Sequence, residues 1–154
     1  MVPAISGFGS FFIDKLIEYL SLMNKSFEVT SEGIIVHEKI DTKDTKIVIQ
    51  ITEKWIRILT NLGKLSDIPE EKRMEFIEKL MNANWNYPEI SFGLDEEGNI
   101  YSMQDEFIHA LYYDVFEEEY NAVIASIGIF EKIKDEVLGI KQANISAKEK
   151  TEQS

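Results

Sequence analysis

The chain has 154 residues, 44% of them hydrophobic, no cysteine and a net charge of −12. That length and apolar content suffice for one domain with its own core and exclude a wholly disordered chain, while every apolar run is too short for a transmembrane helix. The missing cysteine excludes disulfides, Cys-ligated zinc and thiol catalysis, and the acidity argues against non-specific nucleic-acid binding and anionic membranes, which need Lys and Arg to meet phosphate.

The N-terminal stretch MVPAISGFGSFFIDKL lacks the basic region of a secretory signal and reads as mature sequence of a soluble, cytoplasmic protein. From about Ser10 to Met23, Phe12, Leu16, Leu20 and Met23 recur at helical spacing with Ile13 and Ile17 beside them, predicting a first helix capped by Ser10. The pattern then changes to short β-prone runs at 27–30 and 34–39, separated by Ser31-Glu32-Gly33. After the polar cluster 41–44, Ile47, Ile49 and Ile51 alternate with Val48, Gln50 and Thr52, the clearest strand of the chain. Residues 55–60 follow as a further run, so the expectation is an antiparallel meander of three to four strands with one face covered and one partly wet.

Pro69 followed by Glu70 and Glu71 signals the start of a second helix, since Pro fits the first turn and carboxylates complement its free N–H groups. Met74, Ile77, Leu80 and Met81 give its expected apolar stripe, Lys72, Arg73, Glu75, Glu78 and Lys79 its solvated side, and Asn82-Ala83-Asn84 its end. Trp85 and Tyr87 fall in the polar connection that follows. Together with Trp55 they are candidate partner-binding aromatics, although the reading favoured on burial statistics is that Trp85 and Tyr87 plug the helix end against the sheet. Ile90, Phe92 and Leu94, the turn 95–99 and a return strand from Ile100 to Gln104 predict a β-hairpin.

A long C-terminal helix spans about Tyr112 to Ile140, with Phe116, Tyr120, Val123, Ile127, Phe130 and Val137 on one stripe to pack on the sheet. Ala122, Ala125, Ser126 and Ile129 form a neighbouring small-residue face, either a dimer contact or a half-buried flank within the domain. Gly128 lies outside that face and costs up to ~1 kcal/mol of helix propensity relative to Ala. The fold class is therefore α+β in a single domain over 1–140, and 141–154 reads as a disordered polar tail.

No constellation carries recognisable chemistry. Glu106 and His109 read as E-x-x-H, but a di-iron bundle needs a second such pair and the other histidine, His37, falls in a predicted strand. Single-metal binding by His109 with Asp105 or Glu106 has no distinctive spacing. Asp95, Glu97, Asn99 and Glu106 match part of a calcium loop that fails where Ile100 replaces the central glycine. Glu117-Glu118-Glu119 points three ways on a helix and reads as solvated, and Gly7, Gly9 and Gly63 form no phosphate-binding fingerprint. The expectation is a protein with no catalytic residue, metal or cofactor, the rival being a small-molecule or metal-dependent enzyme built on His109 and nearby carboxylates. A structural subunit of a larger assembly is a third reading.

The element order, with Leu80-Met81-Asn82-Ala83-Asn84 ending the middle helix and Ile90–Asp95 returning through Gly98-Asn99-Ile100-Tyr101, resembles type III secretion chaperones and the related YbjN-like proteins. The resemblance implies a small, acidic, non-enzymatic protein, commonly a homodimer, that holds a protein partner along sheet and helix surfaces. It supplies no catalytic motif and no identity for the partner.

Overall fold

The computed structural model describes residues 7–140, with side chains from Phe11 onward, so the expected tail at 141–154 lies outside the described residues. Helix α1 (Gly7–Leu22) leads into four strands, β1 (Ser26–Thr30), β2 (Gly33–Ile40), β3 (Lys43–Ile51) and β4 (Trp55–Lys64). Helix α2 (Arg73–Asn86), the hairpin of β5 (Phe92–Leu94) and β6 (Asn99–Phe107), and helix α3 (Tyr113–Leu138) complete the chain. All strands pair antiparallel in one six-stranded sheet of order β1-β2-β3-β4-β6-β5. The returning strand β6 thus lies against β4, and the short β5 becomes an edge.

Tight turns fix the meander. The Ile40–Lys43 pair closes around Asp41 (φ 47°) and Thr42 (φ 73°), the two positive dihedrals of a type I′ hairpin. Gly33, at φ 128°, follows the first turn, and a Cβ there would lie 2.2 Å from the Ile49 carbonyl oxygen. Backbone conformation and close approach both demand glycine at that point.

Because side chains alternate along a strand, Ile34, Val36, Ile47, Ile49, Ile56 and Ile58 all turn to one face, where they meet Phe12, Leu16, Tyr19 and Leu20 of α1 and Phe116, Tyr120 and Val123 of α3. A second cluster joins Phe76, Leu80 and Ala83 of α2 to Phe92, Ile100, Phe130, Ile133 and Val137. Helix α3 therefore spans both clusters and lies chiefly over β4 and β6. Each fully buried aliphatic or aromatic side chain contributes about 1.5–3 kcal/mol.

Several boundaries and faces differ from the sequence reading. Helix α1 begins at Gly7, which places Ser10 inside the helix rather than at its cap. Strand β4 continues to Lys64 through an irregularity between Asn61 and Gly63. Helix α2 follows one 3-10 turn at Glu70–Lys72 and continues to Asn86, and its buried residues are Phe76, Leu80 and Ala83. Met74 and Met81, expected inside, are 69% and 61% exposed. Helix α3 ends at Gly139 (φ 70°), whose N–H reaches back to the Asp135 and Glu136 carbonyls, while Lys72 Nζ donates to the Val137 carbonyl at 3.0 Å.

Candidate partner-binding surface

Helix α2 carries apolar residues on two adjoining faces. Phe76, Leu80 and Ala83 turn inward, and Ile77, Met81, Met74 and Trp85 occupy the next sector, spread over roughly 80° at 3.6 residues per turn. Trp85 is 89% exposed. Between this sector and the hairpin lies an apolar slot of about 70 Å³, with Leu65, Ile77, Leu80 and Met81 on one side and Phe92, Leu94 and Ile100 on the other. Against about 150 Å³ for an apolar cavity that takes benzene, this slot accommodates one aliphatic side chain.

The slot borders the free edge of β5. Ser91 and Asp95 bond across to Met103 and Asn99, so by antiparallel alternation Phe92 and Leu94 direct their backbone groups outward. Asn84 closes the first of these positions: the Phe92 N–H donates to Asn84 Oδ1 at 2.8 Å, and Asn84 Nδ2 donates to the Phe92 carbonyl at 3.2 Å. One side-chain amide from α2 thus imitates a neighbouring strand. The backbone at Leu94, itself 52% exposed, lies one step further along the same edge.

No helix covers the other face of the sheet among the described residues. The register aligns Ile35, Val48, Leu59 and Met103 in a half-buried apolar row across β2, β3, β4 and β6. Beside it Arg57 clamps Asp105 through Nε and Nη2 at 2.6 and 2.9 Å, a hydrogen-bonded pair that raises the arginine's affinity for its proton.

The residues singled out from the sequence are dispersed. Ala122 and Ser126 are buried at 9% and 0% exposure, Ile129 packs against the second core cluster, and only Ala125 of the four is exposed. Ser126 Oγ lies 2.5 Å from Ser102 Oγ and 2.6 Å from the Val123 carbonyl. The four residues therefore do not share one outward face, because the helix stripe that meets β6 is wider than the apolar periodicity suggested. Trp85 does not plug the end of α2, and Tyr87 is 48% exposed. Trp55, 47% exposed, meets Phe107 edge-on with ring centroids 5.9 Å apart.

Glu106 and His109 do not share a helix face. Glu106 lies on β6, and His109 sits in a single 3-10 turn (Ile108–Ala110) with its ring against Phe107 and Phe12. Glu106 is only 3% exposed and meets Glu119 of α3. As two carboxylates the pair would leave both oxygens of Glu106 and Oε2 of Glu119 buried without a donor. One proton between them supplies an O–H from Glu106 to Glu119. Burial first, then the Glu119 charge, pushes Glu106 up to about 8. Burial, then Glu89, raises Glu119 to about 7, so the last residue of the Glu117-Glu118-Glu119 run, expected to be solvated, faces inward instead.

Asp95 organises a turn. Its Oδ1 accepts from the Glu97 and Asn99 N–H groups at 3.0 and 2.8 Å and its Oδ2 from Asn99 Nδ2 at 2.9 Å; the Asn99 side chain is the main cause that lowers its pKa. Among the described residues no group of three or more His, Asp or Glu side chains is placed to hold a metal. No described helix is long and apolar enough to cross a membrane.

No protein-family model and no curated protein matches the sequence. Solved structures do match. A chain of the heterodimeric ExoU–SpcU complex from the type III secretion system of Pseudomonas aeruginosa aligns with a TM-score of 0.57 at 11% identity, over 75% of this chain and 94% of that one. A chain of the HopA1–SchA chaperone–effector complex gives 0.60 at 14%, over 82% and 98%. An uncharacterised protein from Methanothermobacter thermautotrophicus gives 0.58 at 15%, over 82% and 99%. The fold is that of type III secretion chaperone structures, a helix, an antiparallel sheet of six strands and a long C-terminal helix packed upon it.

Proposed function

We propose that this chain is a non-enzymatic protein-binding module that works as a homodimer, two copies meeting through the α2–β5 face, with a partner polypeptide held on the open sheet and adjoining helix surfaces. The observation that carries the reading is the α2 sector itself. In a chain of net charge −12, Met74, Met81 and Trp85 are exposed beside an apolar slot and an incompletely closed strand edge. Large exposed apolar residues gathered in one patch mark interaction sites, and Trp is enriched among the residues that dominate binding energy. The likeness to chains in chaperone–effector complexes favours a polypeptide as the partner. An enzyme built on His109 gains no support, because Glu106 is buried against Glu119 and the apolar slot lies elsewhere, lined by no titratable side chain.

The absence of native cysteine makes the test direct. In a two-fold dimer a residue near the axis faces its own copy. Single Trp85→Cys and Met81→Cys variants treated with a short thiol-to-thiol cross-linker are expected to give covalent dimers, and Ala125→Cys to remain monomeric. Cross-linking through Ala125→Cys alone, or through none of the three, would overturn the assignment of the interface.

A further inference from the structure

We propose that Glu106 and Glu119 form a proton-held latch between β6 and the first half of α3, one that fastens the helix to the sheet while a proton bridges the pair and releases it in alkaline solution. The latch is independent of the proposed dimer face, which lies on α2 and β5.

The geometry supplies its parts. Glu106 faces the covered side of the sheet beside its register partner Ile56, with Ile58 and Ser102 further along the same face. Glu119 projects from α3 above it. Four residues along β6, Ser102 meets Ser126, seven residues along α3. These separations are about 13 Å along a strand and about 10 Å along a helix, so two polar rungs pin the same helix to the same strand. Only the Glu106–Glu119 rung titrates; the serine pair stays neutral, so the change is confined to the part of α3 before Ser126.

The surroundings favour one proton rather than none. Glu119 of α3 faces Glu106, β4 contributes the apolar Ile56, and the connection to α3 contributes the Tyr112 backbone, the weakest influence and the one that favours ionisation. Glu89, whose carbonyl accepts from Gln104 Nε2, and Asp105 both add negative charge toward Glu119. Asp105 is clamped by Arg57 on the outer side of the sheet. His109, three residues beyond Glu106, packs its ring on Phe107 and Phe12.

Both carboxyls hold their protons more tightly folded, near 8 for Glu106 and 7 for Glu119, than the ordinary 4.5 they have when exposed. Their contribution to stability is thus complete below about pH 4.5 and is lost as pH rises through 7 and 8. Removing the shared proton leaves two facing charges in a buried site where the weak Tyr112 backbone contact is the only one of these influences on Glu106 that favours ionisation of that carboxyl.

Urea unfolding of the wild type and of the Glu106→Gln/Glu119→Gln double variant, measured from pH 5.5 to 9.5, tests the latch. The unfolding constant of the wild type is expected to rise by at least about 100-fold across that range, the effect of one shared proton, and that of the double variant to change far less. Amide exchange, corrected for intrinsic rates, should accelerate at pH 9 in the first half of α3 in the wild type alone. Equal pH slopes in the two proteins would overturn the proposal. If the double variant does not fold, carbon NMR of the wild-type glutamate carboxyls decides: titration of Glu106 and Glu119 above pH 6 supports the latch, and titration of both near 4.5 refutes it.

Discussion

Asn84→Ala separates what a helix prefers from what this fold requires. On helix propensity alone the change is favourable by roughly 0.6 kcal/mol, since Ala outranks Asn within a helix. The structure predicts the opposite sign. Asn84 makes two hydrogen bonds to the backbone of Phe92, a residue that is 8% exposed at the sheet edge. Each bond contributes about 0.5–1.5 kcal/mol, and the groups left behind are only partly open to water. After subtracting the propensity gain, the net loss is about 1–2 kcal/mol, or roughly 3–6 °C in melting temperature for a chain of this size. Urea titration followed by circular dichroism gives the number, with an unchanged m-value showing that the native state is intact. Asn84→Asp, which keeps an acceptor and loses the donor, should also destabilise, because its carboxylate faces the Phe92 carbonyl. A stabilised Asn84→Ala protein, or a change below about 0.3 kcal/mol, would refute the view that this side chain closes the β5 edge.

Other expectations follow from the same interactions. Ser126→Ala leaves the buried Ser102 hydroxyl without its partner and should cost about 1 kcal/mol, while adding Ser102→Ala should cost less than the sum of the single changes, as measured by a double-mutant cycle. Thr42→Gly should raise stability by about 1 kcal/mol in urea titration, because Thr42 is a β-branched residue held at φ 73°. Trp85→Ala should change the stability of dilute monomer by less than about 0.5 kcal/mol and weaken self-association measured by sedimentation, since the indole is 89% exposed in one copy. Raising salt should tighten the dimer, because each copy carries a net charge of −12 and screening weakens their repulsion.

The order of elements was legible because hydrophobic periodicity changes sharply along the chain. Ile47, Ile49, Ile56 and Ile58 alternate as half-covered strands must, and Phe116, Tyr120, Val123 and Phe130 recur as a packed helix must. The surface was less legible. In α2 the apolar residues fill two adjacent faces, so periodicity identifies a helix without saying which face is inside; Phe76 and Ala83 took the core and Met74 and Met81 the surface. The asparagines near its end read as a stop signal, yet Asn84 stays helical because its amide finds Phe92 across the fold. Propensity cannot register a bond to a residue on another element.

Glu106 and Glu119 were hidden for a different reason. A carboxylate reads as a solvent-facing residue, so the return strand is expected to end at Gln104, before Glu106, and 117–119 to form a solvated helix turn. Glu119 nevertheless lies seven residues before Ser126, on the stripe that faces β6. Burial of an acid is tolerable when the group stays protonated, and the protonation state is set by neighbours absent from the local sequence. The small-residue reading of Ala122, Ala125, Ser126 and Ile129 had the converse difficulty. Small residues permit close approach without specifying whether a strand of the same chain or another molecule approaches.

Light scattering coupled to size exclusion, on wild type, Met81→Glu/Trp85→Glu and Ala125→Glu, decides whether two copies meet through α2 and β5. The expected result is a wild-type mass about twice the 17.8 kDa of one chain, a folded monomer for the double variant, and an unchanged dimer for Ala125→Glu. A wild-type monomer, or a dimer broken by Ala125→Glu and untouched by the α2 substitutions, would contradict it.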